Sequence, residues 1–296
     1  MSDFYPDFRN TARFRFALVD ASQRADIPAG VQNAVIAPTF LGSDTDRCPA
    51  LIALDSMPPS LRAEWCDGLH QEVLSRQETR ASLLIEADAS MTTLASHLAR
   101  RMTLQTPGQD RPLQWRYFDP GTSLQMSRVL GKIGLAWLMG PASTWMIPWA
   151  GSWQAIDRPQ DVSQQDLLGF KLMTNHITAL MRVGVINRAL LQSARPISAK
   201  EWIEATRQLD AIVIQGQTAH ELDHRDDLVA YASHAYIWHP RIHEHPHIRR
   251  LLKDLQQATP DDEIDYRELT AGLTPEDWTR LALELEQVRQ QEATTP

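Results

Sequence analysis

Apolar positions along this chain follow two rhythms. In the first half, short apolar runs alternate with stripes repeating every three or four residues; in the second half the stripes continue almost alone. The runs Phe14–Asp20, Ala50–Leu54 and Ser82–Glu86 are short and bounded by charge or turn residues, which predicts buried strands. Between them, Leu61, Trp65, Leu69 and Val73 mark a helix with Ser60 at its N-cap, ending near Arg76. Leu94, Leu98 and Met102 mark another, with His97 beside the stripe. The run holding Trp115, Tyr117 and Phe118 has strand composition and stops at the turn Asp119-Pro120-Gly121. A helix over 124–137 is expected next, with Gln125, Arg128 and Lys132 as its wet stripe and Gly140-Pro141 closing it. Ser143–Ile147 reads as a strand, and Trp149-Ala150-Gly151 turns it into a hairpin ending near Ile156.

Twelve of the 18 prolines and nine of the 13 glycines precede Gln160, and strand-like runs largely cease there. This shift places a boundary at 157/158 and predicts an α/β (α+β) lobe over 1–157, a sheet with packed helices, followed by an all-α lobe over 158–296. Ser163 with Asp166 opens a buried helix to Leu191 with a break near Gly184. Ser198 with Glu201 opens one whose packed face carries Trp202, Ala205, Leu209, Ile212 and Gly216. Helices follow over 226–238 and 247–255. Thr274-Pro275-Glu276-Asp277 starts the last, with Trp278, Leu281, Leu285 and Val288 facing inward.

Composition narrows the function classes. A net charge of −8 with no Lys/Arg block argues against a nucleic-acid partner, and Arg100-Arg101 and Arg249-Arg250 read as solvated helix ends and faces. The two cysteines, Cys48 and Cys66, give no disulfide framework and fit core positions in a reducing compartment. The first 16 residues have no signal-peptide core, and Ile133–Met139, the longest apolar run, is far short of the ~20 residues of a membrane span. A cytoplasmic protein with no membrane contact is expected.

Candidate chemistry concentrates in the histidines, seven of ten lying between 220 and 247. His220-Glu221-Leu222-Asp223-His224 has the spacing by which a helix presents two imidazoles to zinc and a glutamate to its water, the alternative reading being a zinc metallopeptidase. Asp223, Arg225, Asp226 and Asp227 make the segment polar, and Ala230 stands where a third histidine would continue the motif, so a solvated helix terminus is the plainer reading. His234, His239, His243, His245 and His247 are interrupted by Pro240 and Pro246, which suits an exposed loop touching a partner better than a metal site. There is no G-x-S-x-G elbow, P-loop or dinucleotide fingerprint. No catalytic residue, metal ligand or cofactor is assigned. Trp149 and Trp153 flank Gly151 as core residues or as partner anchors.

The segment from Leu113 to Trp145 resembles the signature of the type VI secretion effector-adaptor chaperones (Tap or TEC proteins): Arg116, Tyr117, Phe118, Asp119 and Pro120, then an apolar helix, then Gly140, Pro141 and Trp145. Phe16–Ala21, Pro49–Leu54 and His97–Arg101 are similar to further segments of that family, in the same order. Where the family carries a base after Asp-Pro, this chain has Gly121. The resemblance covers most of residues 14–148. It implies a cytoplasmic adaptor that binds a toxic effector and delivers it to the VgrG spike protein, by binding without turnover.

Overall fold

The computed structural model describes residues 13–106, 110–193, 197–257 and 264–294. Its strands are β1 (Phe16–Val19), β2 (Asn33–Val35), β3 (Ala50–Ala53), β4 (Ala81–Ala87), β5 (Thr103–Leu104), β6 (Leu113–Gln114), β7 (Ala142–Trp149) and β8 (Ser152–Asp157). The helices are α1 (Pro59–Leu74), α2 (Met91–Arg101), α3 (Pro120–Ser123), α4 (Met126–Met139), α5 (Gln164–Gly169), α6 (Thr174–Leu191), α7 (Ala199–Ala219), α8 (Arg225–Ile237), α9 (Pro246–Gln257), α10 (Tyr266–Thr270) and α11 (Pro275–Thr294). The fold is mixed α/β, then helical. Residues up to Thr178 with Ile197–Lys200 form one compact unit, and the rest from Ala179 onward form the other.

Six strands of the first unit make one antiparallel sheet in the order β2-β3-β1-β4-β7-β8. Because strand side chains alternate, the register sorts them into two layers. Ala17 lies opposite Ile52 and Leu84, and Leu84 opposite Met146; this row joins Trp65, Cys66, Leu69 and Val73 of α1 in one core. Phe16, Ile85 and Trp145 form the next row, on the opposite face, where Trp145 stacks on Tyr117. The hairpin between β7 and β8 turns through Ala150 and Gly151, both at positive φ (49° and 88°). The inner strands β1, β3, β4 and β7 are thus buried on both faces.

Three local expectations are corrected in this unit. The aromatic run is not a strand: β6 ends at Gln114, and residues 115–119 turn into α3. A strand would send Tyr117 and Phe118 to opposite faces, but the turn buries both completely. Ser60 lies inside α1, which starts from Pro58 and Pro59 without a side-chain cap. Gln125 is 1% exposed, bonding the Gly121 carbonyl (3.0 Å) and accepting from Arg128 (2.8 Å), so it does not belong to a wet stripe. Gly131, at φ 67° and ψ −175°, kinks α4 and turns Ile133 outward.

The expected break near Gly184 falls instead at 170–173, between α5, which Ser163 and Asp166 cap reciprocally, and α6. Phe170 leaves the helix in extended conformation and fills the space over Gly134, where a Cβ would stand 2.7 Å from its ring. Gly184 is helical within α6 and makes room for Arg225: a Cβ there would meet the guanidinium at 2.7 Å. Neither α5 nor α6 is buried all round, with Leu168, Met181 and Leu191 exposed. In the helical unit Trp202, Leu209 and Val213 of α7, Ile248 and Leu252 of α9, Tyr266 of α10, and Trp278 and Leu281 of α11 are buried; Val288 is exposed.

Candidate functional site

The segments that carry the resemblance meet at one place in the first unit. Arg116 leaves the turn after β6 and forks onto Asp119, its Nε donating to both carboxylate oxygens at 3.1 Å. Its Nη2 donates to Asp119 at 2.9 Å and to Asp20, just after β1, at 2.8 Å. Asp20 in turn accepts from the backbone and hydroxyl of Ser22, capping a short 3-10 turn. Burial alone would raise the Asp20 carboxyl; the hydrogen bonds from Ser22 and Arg116 outweigh it and hold it below the ordinary carboxylate value. The Arg116 guanidinium also lies 5.0 Å from the centre of the Phe118 ring. About 40% of the Arg116 and Asp119 side chains remains accessible, so another molecule can reach this ionic cluster.

Asp119 does not cap α3 with its carboxylate, which Arg116 occupies; its carbonyl accepts from Thr122 and Ser123, both at 2.8 Å. Pro120 follows at the first helical position, where its missing N–H costs nothing. Gly121 leaves no cation at the position where the resembling family has one.

Behind the ions lies an aromatic layer. The Tyr117 ring stacks on Trp145 (5.8 Å, 15°) and meets Trp115 and Phe118 edge-on. Its hydroxyl donates to the Leu98 carbonyl (3.1 Å), and its own carbonyl accepts from Ser123 Oγ (2.7 Å). Gly140 has φ 59° and ψ −117°, a glycine conformation, and its bare Cα faces the His97 ring, which a Cβ would approach to 2.2 Å. His97 Nε2 donates to the Leu138 carbonyl at 2.9 Å, which fixes its tautomer, and burial brings its pKa down to about 4. Arg101 is no solvated helix end: it lies 3.7 Å over the Trp137 ring and donates to the Trp137 carbonyl at 3.1 Å. Burial, with repulsion from Arg100, lowers it to about 10. Tyr117, Phe118 and Trp145 are closed off from solvent and hold the fold, whereas Arg116 and Asp119 are presented. Asp20, His97 and Arg101 complete the cluster; the sequence signalled them only through the similar segments 16–21 and 97–101.

The histidine candidates resolve differently. α7 ends at Ala219, Glu221 adopts positive φ (56°), Leu222 is buried, and His224 is extended ahead of α8. His220 and His224 therefore do not share a helical face, and the zinc-helix geometry is missing. Among the described residues no group of three or more His, Cys, Asp and Glu side chains could hold a metal. The region 234–247 is not an exposed loop throughout. His239 bonds Glu286 and His245 bonds Glu284, each at 2.9 Å, and His234 bonds the Tyr266 hydroxyl at 3.1 Å. His243, 3% exposed, lies flat on Tyr231 with ring centres 3.4 Å apart, and both its nitrogens are buried without a hydrogen-bond partner among the described residues. Burial, then the neighbouring His234 and His220, push its pKa well below the usual histidine value.

Trp153 is buried, with its indole directed at His70 (3.4 Å), and Trp149 donates to the Ile197 carbonyl (3.0 Å), so neither indole N–H is offered to a partner. No helix among the described residues is long and apolar enough to cross a membrane. No family model, curated protein or solved structure matches the chain.

Proposed function

We propose that this chain is a cytoplasmic adaptor that binds a type VI secretion effector and loads it onto the VgrG spike, by protein–protein contact without catalysis. The observation that carries the reading is the convergence of its similar segments. Arg116 bonds Asp20 from the first, the Tyr117 hydroxyl bonds Leu98 of another, His97 of that same segment packs on Gly140, and Tyr117 stacks on Trp145. The remaining segment, Pro49–Leu54, holds β3, which pairs with β1. In support of this reading, the Arg116–Asp119–Asp20 cluster is held by bidentate geometry and is partly accessible to a partner. In this reading the first unit recognises the effector or its spike-tip extension, and the helical unit supplies the second contact.

The test is a pull-down from lysate of the native host with the full tagged chain as bait, read by mass spectrometry. A VgrG-type spike protein recovered together with one large toxin-like protein is the expected result. Recovery of neither by a folded bait removes the reading.

A further inference from the structure

We infer that the outer edge of β2 is a docking strand onto which an extended segment of the cargo effector adds as a further strand of the sheet, an assignment that rests on the adaptor reading above. β2 ends the strand order, with β3 as its neighbour in the sheet. Asn33, Ala34 and Val35 lie opposite Ile52, Leu51 and Ala50. On either side of this stretch Ala53 donates to the Gln32 carbonyl at 2.9 Å and Ile36 donates to the Pro49 carbonyl at 2.8 Å. Antiparallel pairs alternate between those that exchange N–H···O bonds and those that do not, so residues 32, 34 and 36 face β3. The amides and carbonyls of Asn33 and Val35 consequently project from the open edge.

The occupant follows from that chemistry. Two donors and two acceptors at strand spacing are complementary to another backbone in extended conformation, the mode in which main-chain bonds supply affinity and flanking side chains supply selection. Apart from its short length of three residues, none of the usual devices blunts this edge among the described residues. Residues 33–35 contain no proline, charge or bulge, and the Asn33 side chain folds back onto the Val31 carbonyl at 3.0 Å instead of covering the strand. The opposite edge differs: Gln154, in the middle of β8, is 3% exposed and so is covered, whereas Val35 is 43% exposed. Beside β2 runs an open groove of about 340 Å³ lined by Arg24, Ile27, Pro28, Gly30, Asn33 and Val35. Space beside Gly30 is clear, with nothing within 4 Å of where a Cβ would stand. Arg24 is pinned by Nη1, which donates to the carbonyls of Thr45 (2.8 Å) and Cys48 (3.2 Å). That places a fixed cation in the groove wall and selects an effector segment with an acidic side chain beside its pairing residues.

The deciding experiment is hydrogen exchange, resolved to single amides, on the full chain alone and in the complex isolated from host lysate with the tagged chain. The Asn33 and Val35 amides are expected to slow by about tenfold or more in the effector complex, while Ala34 and Ile36 are already protected in the free chain. Val35→Pro deletes an outward N–H without touching a bond to β3, and is expected to lower effector retention about tenfold, with Val35→Thr retaining it. Should the proline variant misfold by circular dichroism, the exchange measurement on the unaltered chain decides. A complex that forms with unchanged exchange at residues 33 and 35 overturns the docking strand and leaves the adaptor reading standing. Retention of neither effector nor spike removes both. Protection that comes from the spike alone, or from a second copy of this chain with a doubled mass in light scattering, overturns the choice of occupant.

Discussion

His97 and His243 are both buried histidines at the centre of their units, and the two are treated in opposite ways. The imidazole of His97 donates to Leu138 and its ring closes over Gly140. Around it the Tyr117 hydroxyl and Ser123 are bonded as well. His243 has the same shape and burial, yet both its nitrogens and the Tyr231 hydroxyl beneath it are unpaired among the described residues. A buried polar group left unpaired costs about 1–3 kcal/mol; among the described residues the helical unit has three such atoms at His243 and Tyr231, whereas the aromatic centre has one, the Nε1 of Trp145. Burial alone says little about how firmly a site is held. The difference lies in how many of the buried polar atoms are answered.

The largest break in this contrast comes from Gly140→Ala. The new methyl both meets the His97 ring and strains a positive-φ backbone, and we expect a loss of about 3–5 kcal/mol in urea unfolding. Adding His97→Ala should recover part of it, a coupling that a double-mutant cycle measures.

Acid acts next. His97 and His234 have folded-state pKa values of about 4, lowered by burial, against 6.5 unfolded. Their neutral forms suit the fold, so the unfolded chain binds more protons as pH falls below 6.5. Stability is then complete above about pH 6.5 and declines toward pH 4, by up to roughly 1.4 kcal/mol per pH unit for each such histidine. Urea midpoints at pH 7 and pH 5 check it; equal midpoints would refute the burial of both rings.

His243→Phe sharpens the comparison by sign. It removes two unpaired buried nitrogens and keeps the stack on Tyr231, so a gain of about 1–2 kcal/mol is expected, whereas His97→Phe strands the Leu138 carbonyl and destabilises by a similar amount. The smallest effect belongs to Arg116→Ala. Its ion pairs are bidentate but well exposed, and screening holds the expected loss near 1 kcal/mol. Partner capture by that variant should fall far more than its melting temperature, and a fall in both together would assign Arg116 to the scaffold alone.

Much of the framework was legible in the sequence because periodicity and punctuation agreed. β1, β3, β4, α1, α2 and the β7–β8 hairpin lie where apolar spacing and turn residues place them. The site was legible in its residues and misread in its conformation. Three aromatics within four positions have strand composition, but a tight turn can bury such a run completely, and composition does not separate the two. Gln125 and Arg101 look solvated in the sequence because polarity alone does not show that a carbonyl waits nearby. The histidine region follows the same rule: Pro240 and Pro246 signal a broken backbone, but a broken backbone can still be covered, here by Tyr231 and α11. Gly184 marks a close approach of Arg225, and a glycine kept for room looks in sequence like one kept for bending.

The contacts of Tyr117, His97 and Arg101 have one more meaning. A helix leaves its last carbonyls unanswered, and such ends ordinarily fray. Here the Leu98 carbonyl in the final turn of α2, which already takes the Met102 amide, also accepts from Tyr117, while the Trp137 and Leu138 carbonyls in the final turn of α4 accept from Arg101 and His97, both borne by α2. Each helix thus ends in contacts that involve the other or the aromatic turn. Neither can unwind from its C-terminus without releasing its neighbour, so the two ends and the turn that carries Arg116 should open and close as one cooperative event.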